Sequence, residues 1–264
     1  MILCIDIGNS GVKMGVLDGE RVLSRERLAF PELRDTNAFE MAVHRASSAV
    51  LRLNGVIVSS VAPDETPDVV AGVQARTGVR PRVVSHEMRL PIDLAVPIPS
   101  RVGTDRICAA SGALGGRRRN AIVIDVGSTI TVDLVRNGQF LGGVIMPGPA
   151  MALSAMGRGT GQLPVLDPAA LADHWPESFD FTEPSMVLGS SLGAVGGIRE
   201  VVRYLEAQSG AVSRHVITGG GADVVAGRLP TSWIHDPDLV LRGLYRIAKS
   251  ERRMNLREPQ ESPV

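Results

Sequence analysis

Three aspartates stand where a carboxylate could do chemistry. Asp6 opens Asp6-Ile7-Gly8-Asn9-Ser10, Asp125 opens Asp125-Val126-Gly127-Ser128, and Asp105 lies in Gly103-Thr104-Asp105-Arg106. In the first two segments an apolar run ends at the aspartate. A glycine two residues on lets the backbone turn with its amides exposed, which suits phosphate oxygens. The hydroxyl of Ser10 or Ser128 can donate to a phosphate, and Asp6 or Asp125 can hold a hydrated divalent ion. Lys13 adds a mobile positive charge for β- and γ-phosphates. Only Lys13 and Lys249 are lysines among 28 basic residues, which singles out the one beside the first loop. One such loop alone reads as a hairpin turn with an Asx bond. Two in matched positions, with Thr218-Gly219-Gly220-Gly221 as a third glycine turn after an apolar run, point to nucleotide phosphates. No Walker-type Gly-x-x-x-x-Gly-Lys-Ser/Thr sequence competes with them.

Asp105 has two readings on residue chemistry. It fits the cap of an alanine-rich helix over 105–114, with Thr104 as the other candidate cap. It equally fits a general base, because phosphoryl transfer needs a carboxylate for the attacking hydroxyl's proton and a cation for an anionic substrate. Asp105 and Arg106 supply both side by side.

The elements that must hold these residues follow from hydrophobic periodicity. Residues 1–7 read as a strand, 12–17 alternate as a second, and Asp18-Gly19 turns the chain into a return over 21–28. The unit recurs: 121–124 lead to Asp125, 130–135 alternate, Asn137-Gly138 turns, and 139–146 return. Flanking strands and turn are copied along with the acidic loop, so the chain reads as two homologous halves, 1–118 and 119–264. Between the repeats, 55–60 and 80–85 read as strands and 67–77 as a helix. In the second half 184–208 reads as a long helix carrying Gly189, Gly193, Gly196 and Gly197, and 238–249 as a closing helix. Four helical glycines call for close backbone packing, which a second subunit would supply. Residues 250–264 read as a flexible tail, and Arg117-Arg118-Arg119-Asn120 as a solvated linker.

Composition bounds the function classes. The 264 residues are 44% hydrophobic and 21% charged with formal net charge +0, which describes a globular chain without a field that recruits nucleic acid or an anionic membrane. Cys4 and Cys108 cannot build a disulfide framework. Neither they nor His44, His86, His174, His215 and His235 show metal-ligand spacing. No apolar run approaches bilayer length, and the opening Met1-Ile2-Leu3-Cys4-Ile5-Asp6 lacks a charged leader, so a cytoplasmic protein is expected.

Paired phosphate hairpins in duplicated halves resemble the actin, heat-shock ATPase and sugar-kinase superfamily. That resemblance implies an α/β fold of duplicated RNase-H-like halves with a nucleotide cleft between them. Nearly the whole chain also resembles the type III pantothenate kinases, including the Bvg accessory factor-like proteins. The matching segments are Asp6 to Ser10 with Lys13, Ser59-Ser60-Val61-Ala62-Pro63, Gly103 to Arg106, Asp125 to Ser128 through Asp133, and Gly142 to Gly148. Gln162-Leu163-Pro164, Thr182 ahead of Gly189 and Gly193, Thr218-Gly219-Gly220, and Asp236-Pro237-Asp238-Leu239 to Leu244 complete the series.

The resemblance implies ATP-dependent phosphorylation of pantothenate, the first step of coenzyme A biosynthesis, by a homodimer. It implies magnesium or another divalent ion with ATP, and a potassium or ammonium ion. By position, Asp6, Gly8, Asn9, Ser10, Lys13 and Ser128 would contact ATP, with Asp6 helping to place the divalent ion. Asp105 would be the base, and Gly103, Thr104 and Arg106 would line the pantothenate pocket. Asp125 would bind the monovalent cation, and Thr182 would contact pantothenate across a dimer interface. Four positions depart from the family pattern: Val96 stands in place of a pocket Tyr, Ile130 of a Thr, Phe181 of an Asn and Leu188 of a Ser. These leave two further readings: a catalytically silent nucleotide- or pantothenate-binding regulator, and a kinase or phosphohydrolase of the same superfamily acting on another small hydroxy acid.

Overall fold

The computed structural model describes residues 1–255 apart from 34, 49, 51, 116–118, 172–174 and 211–213, with side chains throughout except at 36 and 252–255. The chain forms two compact units. One holds Met1–Gly116, Gly138–Phe140 and Asp238–Val264; the other holds Arg117–Asn137 and Leu141–Pro237.

The first unit opens with β1 (Ile2–Ile7) and β2 (Gly11–Asp18), antiparallel with Ile5 opposite Met14 and Asp6 opposite Lys13. Next come β3 (Arg21–Val22) and β4 (Glu26–Ala29), α1 (Phe30–Leu33), α2 (Thr36–Ser48), β5 (Val56–Ser60) and α3 (Thr66–Thr77). The short strands β6 (Arg82–Val83) and β7 (Asp93–Leu94) precede α4 (Thr104–Ala113). The sheet order is β3-β2-β1-β5-β6, with β4 also against β2. β1 is therefore interior and flanked by strands on both sides, and its apolar run is continuous rather than alternating. The expected return over 21–28 is split into β3 and β4. Between them the Ser24 hydroxyl takes the Val16 N–H at 3.1 Å and donates to the Ala46 carbonyl at 2.6 Å, replacing a rung of the ladder. Ile5, Ile7, Val12, Met14 and Val58 from the sheet pack against Phe39 and Val43 of α2 and Val69 and Val73 of α3.

The second unit repeats the plan with β8 (Ala121–Val126), β9 (Thr129–Arg136) and β10 (Gln139–Pro147), then α5 (Pro149–Gly159), α6 (Thr182–Ser209), β11 (His215–Thr218), α7 (Ala222–Ala226) and β12 (Ile234–His235). Its order, β10-β9-β8-β11-β12, matches that of the first sheet strand for strand. The first two residues of β10 belong to the first unit, where Asp93 pairs with Gln139 and Leu94 with Phe140. The Asn137-Gly138 turn has φ of 53° and 80°, the left-handed pair that a tight hairpin requires. Ile122, Ile124, Ile130 and Val132 pack against Val195, Ile198 and Val202 of α6.

The chain then returns. α8 (Leu239–Asn255) belongs with the first unit, whereas the division at 118/119 had left it in the second half. The physical reason is a glycine contact with α4. A Cβ at Gly243 would run into the Cys108 carbonyl, and one at Gly112 into that of Leu239, so the two backbones touch. α8 also continues beyond the expected end at 249, and Glu251 accepts the Arg82 guanidinium and the Arg89 N–H. Residues 256–264 of the expected tail, Arg117 and Arg118 of the linker, and His174 lie outside the described residues.

Gly243→Val is expected to destabilise the protein by at least about 3 kcal/mol, because neither helix backbone can yield to a side chain there. Denaturant unfolding followed by circular dichroism checks it.

Candidate active site

Asp6 ends β1 with a different neighbour on each side. Lys13 faces it across the antiparallel pair and Ser59 across the parallel one. The Gly8 N–H closes the following turn on the Gly11 carbonyl at 3.0 Å, leaving Asn9 and Ser10 exposed at its tip. The residue is half-buried, yet its Oδ1 is shut off from solvent and has no hydrogen-bond partner among the described residues. Burial, followed by the charge of Asp105, pushes the Asp6 carboxyl up from 3.8 to about 7, against the opposing pull of the Ser59 hydroxyl and Lys13. A buried carboxylate oxygen without a donor, beside a second carboxylate, has the chemistry of a divalent-cation ligand. Among the described residues no set of three His, Cys, Asp or Glu side chains forms a closed metal site, so any such ion takes its remaining ligands from nucleotide and water.

Asp105 is on the first turn of α4. The helix begins after Gly103 with no side-chain cap, so Asp105 is not the cap that sequence allowed. Its Oδ1 accepts its neighbour's N–H, from Arg106, at 2.8 Å. Burial raises its carboxyl above the ordinary range, and that N–H and the Arg106 guanidinium hold it back. The guanidinium lies 5.5 Å over the ring of the buried Phe140, which limits where it can point. The Thr104 hydroxyl turns to β5, within 3.1 Å of Ser59 Oγ and 2.8 Å of the Ser60 carbonyl. Val96 is half-buried just after β7.

Lys13 is already engaged. Its ammonium is 3.5 Å from Asp238, which is 1% exposed and also takes the Arg25 guanidinium at 2.6 Å, with Arg242 at 4.0 Å. Burial pushes the Asp238 carboxyl up, but the Arg25 hydrogen bonds and the charges of Lys13 and Arg25 outweigh it and hold it below 3.8. Sequence reasoning missed this partner. Its only signal was that Asp238 stood in a matched segment without a role.

In the second unit Asp125 ends β8 opposite Thr131 and, in parallel, Thr218. Gly127 N–H bonds the Thr129 carbonyl at 2.9 Å, and Gly148 N–H bonds that of Ser128 at 3.0 Å. Gly219 follows at φ 98°, with the Asp125 carboxylate pressed where a Cβ would be. Thr182 begins α6 at a groove of about 430 Å³ lined by Met156, Leu163, Phe179, Phe181 and Met186. The structure thus gathers Asp6, Lys13, Asp105 and Arg106 in the first unit. In the second it sets Asp125 and Ser128 at one loop and Thr182 at a separate groove.

The two sheets, each with an acidic glycine loop near the end of its central strand, define the fold shared by hexokinases and dehydratase activators. The chain is similar at the level of fold to ROK hexokinase from Thermus thermophilus (TM-score 0.51, 15% identity, covering 96% of this chain and 99% of that one). It is likewise similar to the (R)-2-hydroxyglutaryl-CoA dehydratase component A of Acidaminococcus fermentans (TM-score 0.58, 15% identity, 94% and 98%). A family model described as type III pantothenate kinase matches residues 2–204. The type III pantothenate kinase of Geobacter sulfurreducens is 30% identical over 96% of this chain and 100% of its own. The chain belongs to the type III pantothenate kinase family.

Because burial raises the Asp6 carboxyl to about 7, its ionisation costs stability as pH rises from 3.8 towards 7. Asp6→Asn is therefore expected to stabilise the ligand-free protein by about 1–3 kcal/mol at pH 8 and to leave it unchanged near pH 4. If Asp6 holds the metal–nucleotide, the same variant is expected to bind nucleotide more weakly. Thermal melts across that pH range check the first statement and calorimetry with Mg²⁺–ATP the second.

Proposed function

We propose that this protein phosphorylates pantothenate with ATP to give 4′-phosphopantothenate, in the cytoplasm, as the first step of coenzyme A biosynthesis. The observation that carries the reading is the neighbouring carboxylate pair Asp6 and Asp105, one with a donorless buried oxygen and the other beside a guanidinium, in a chain of this family. Asp105 takes the proton of the primary hydroxyl as that oxygen bonds to the γ-phosphorus and the bond to ADP breaks. A raised carboxyl makes the better base near neutrality, since its proton affinity is closer to that of the working solution. Arg106 faces the pantothenate carboxylate, and Gly103, Thr104 and Val96 line the pocket. Lys13 moves from Asp238 to the triphosphate, Asp238 keeping Arg25 and Arg242. Gly8, Asn9, Ser10 and Ser128 contact ATP, and a divalent ion held by Asp6 neutralises charge on the phosphates. A potassium or ammonium ion is assigned to Asp125, whose carboxylate supplies the oxygen such an ion takes.

Homodimerisation is proposed on α6. Added side chains at Gly189, Gly193 and Gly196 would meet nothing within 4 Å, and Leu192 on the same helix is exposed, so this face is open to a second copy. Thr182 would then contact pantothenate across the interface. No helix among the described residues is long and apolar enough to cross a membrane.

A coupled ADP-release assay tests the reaction. Turnover on pantothenate that requires potassium and falls by at least about 100-fold in Asp105→Asn is expected. Because Asp105 must be ionised and its carboxyl is raised, kcat/KM is expected to fall on the acid side at a pH above 3.8. Nucleotide binding without turnover would make the protein a silent regulator, and turnover only on another hydroxy acid would change the acceptor. Sedimentation at micromolar concentration should show a dimer that Gly193→Arg converts to monomer.

A further inference from the structure

Ser59 stands in a segment that matches the family, yet the reaction above gives it no work. It is wholly buried in a strand that opens with three aliphatic residues and ends in two serines, where a hydroxyl is costly unless bonded. Its position leads towards both acidic residues. Asp6 and Ser59 are register partners on β1 and β5, so their side chains share one face of the sheet, and the Ser59 hydroxyl pulls the Asp6 carboxyl down against the effect of burial. The same oxygen is 3.1 Å from Thr104 Oγ1, and Thr104 also receives the Ser60 N–H at 3.0 Å. Thr104 is the first residue of the helix that carries Asp105. A serine has one proton to give, and once Asp6 is ionised its carboxylate is a stronger acceptor than the Thr104 hydroxyl, which assigns the Ser59 proton to Asp6. Thr104 is left to donate to Ser59 or to the Ser60 carbonyl. The second unit repeats the arrangement: Thr218, 1% exposed, is the parallel register partner of Asp125.

We propose that Ser59 is a positioning residue, orienting the Asp6 carboxylate and, through the Thr104 hydroxyl, fixing the start of α4 relative to it. The proposal rests on the reading of Asp6 as the metal–nucleotide carboxylate and Asp105 as the base. The donor to a ligating carboxylate governs how well that carboxylate meets its ion, and losing such a donor typically costs about 10–100-fold in affinity or activity.

The test compares the full chain with Ser59→Ala and Ser59→Thr. Affinity for Mn²⁺ with a non-hydrolysable ATP analogue is measured by calorimetry, kcat and both KM values by ADP release, and stability by thermal melts. Ser59→Ala is expected to bind the Mn²⁺–nucleotide at least about tenfold more weakly and to lose kcat similarly, with KM for pantothenate within about threefold. Ser59→Thr, which keeps the hydroxyl in the form the second unit uses, is expected to restore both. Unchanged nucleotide affinity and kcat in Ser59→Ala would overturn the proposal, as would a Ser59→Thr variant as impaired as Ser59→Ala. Should Ser59→Ala not fold, Thr104→Val is expected to lower kcat about tenfold with nucleotide affinity within twofold, and an unaltered kcat would count against the proposal. The calorimetric arm needs no pantothenate. A wild type that binds Mn²⁺–nucleotide but does not phosphorylate pantothenate would remove the assigned reaction and leave Ser59 to be judged by binding.

Discussion

An aspartate at the end of an interior strand, with a second carboxylate for a neighbour, is a local conflict that the fold has to contain. Burial disfavours the charge of both Asp6 and Asp105, and at Asp6 the charge of Asp105 adds to that cost. Lys13 and the Ser59 hydroxyl relieve Asp6 only in part, and one of its oxygens is left without a donor. Folding alone would be better served by a neutral side chain at this point, which is the usual signature of a residue retained for binding. Around that conflict the rest of the first unit is ordered. β1 is interior so that it can be gripped from two sides, and β5 brings a hydroxyl where a parallel neighbour must lie. α4 starts where Thr104 can be pinned to that same strand.

The second unit applies the same rules with different side chains. Strand order and register correspond, but the antiparallel partner of Asp125 is Thr131 where that of Asp6 is Lys13. One loop thus carries a cation across from its carboxylate and the other a neutral hydroxyl.

Much of this was legible in the sequence because it is local. Strand, glycine turn and strand announce themselves within about a dozen residues, and the Asn137-Gly138 turn has the backbone its composition dictates. What stayed hidden is what long-range contact decides. Asp238 meets Arg25 across 213 positions, and no local pattern says which of the 28 acidic residues will cap the single lysine of the loop. The return of α8 to the first unit depends on two glycines, Gly112 and Gly243, that read as ordinary helix-weakening residues until their backbones meet. Asp105 looked like a cap because aspartate near a helix start usually is one. The structure gives the N-cap position to Gly103 and leaves Asp105 inside the helix.

The four departures from the family pattern fall in different physical settings, and that decides what each can affect. Ile130 is wholly buried in the core of the second unit, so a methyl-rich side chain in place of a hydroxyl adds packing there. Leu188 is half-buried on α6. Phe181 is 68% exposed beside Thr182, where an apolar ring replaces an amide that could hydrogen-bond a polar ligand. Val96 likewise exchanges a phenol for an aliphatic group. Both positions present apolar surface, while Asp6, Lys13, Asp105 and Arg106 keep the charged groups that the proposed transfer uses. In the proposed reaction the departures therefore bear on how the alcohol is held, and the charged groups assigned to the chemistry at phosphorus are left in place.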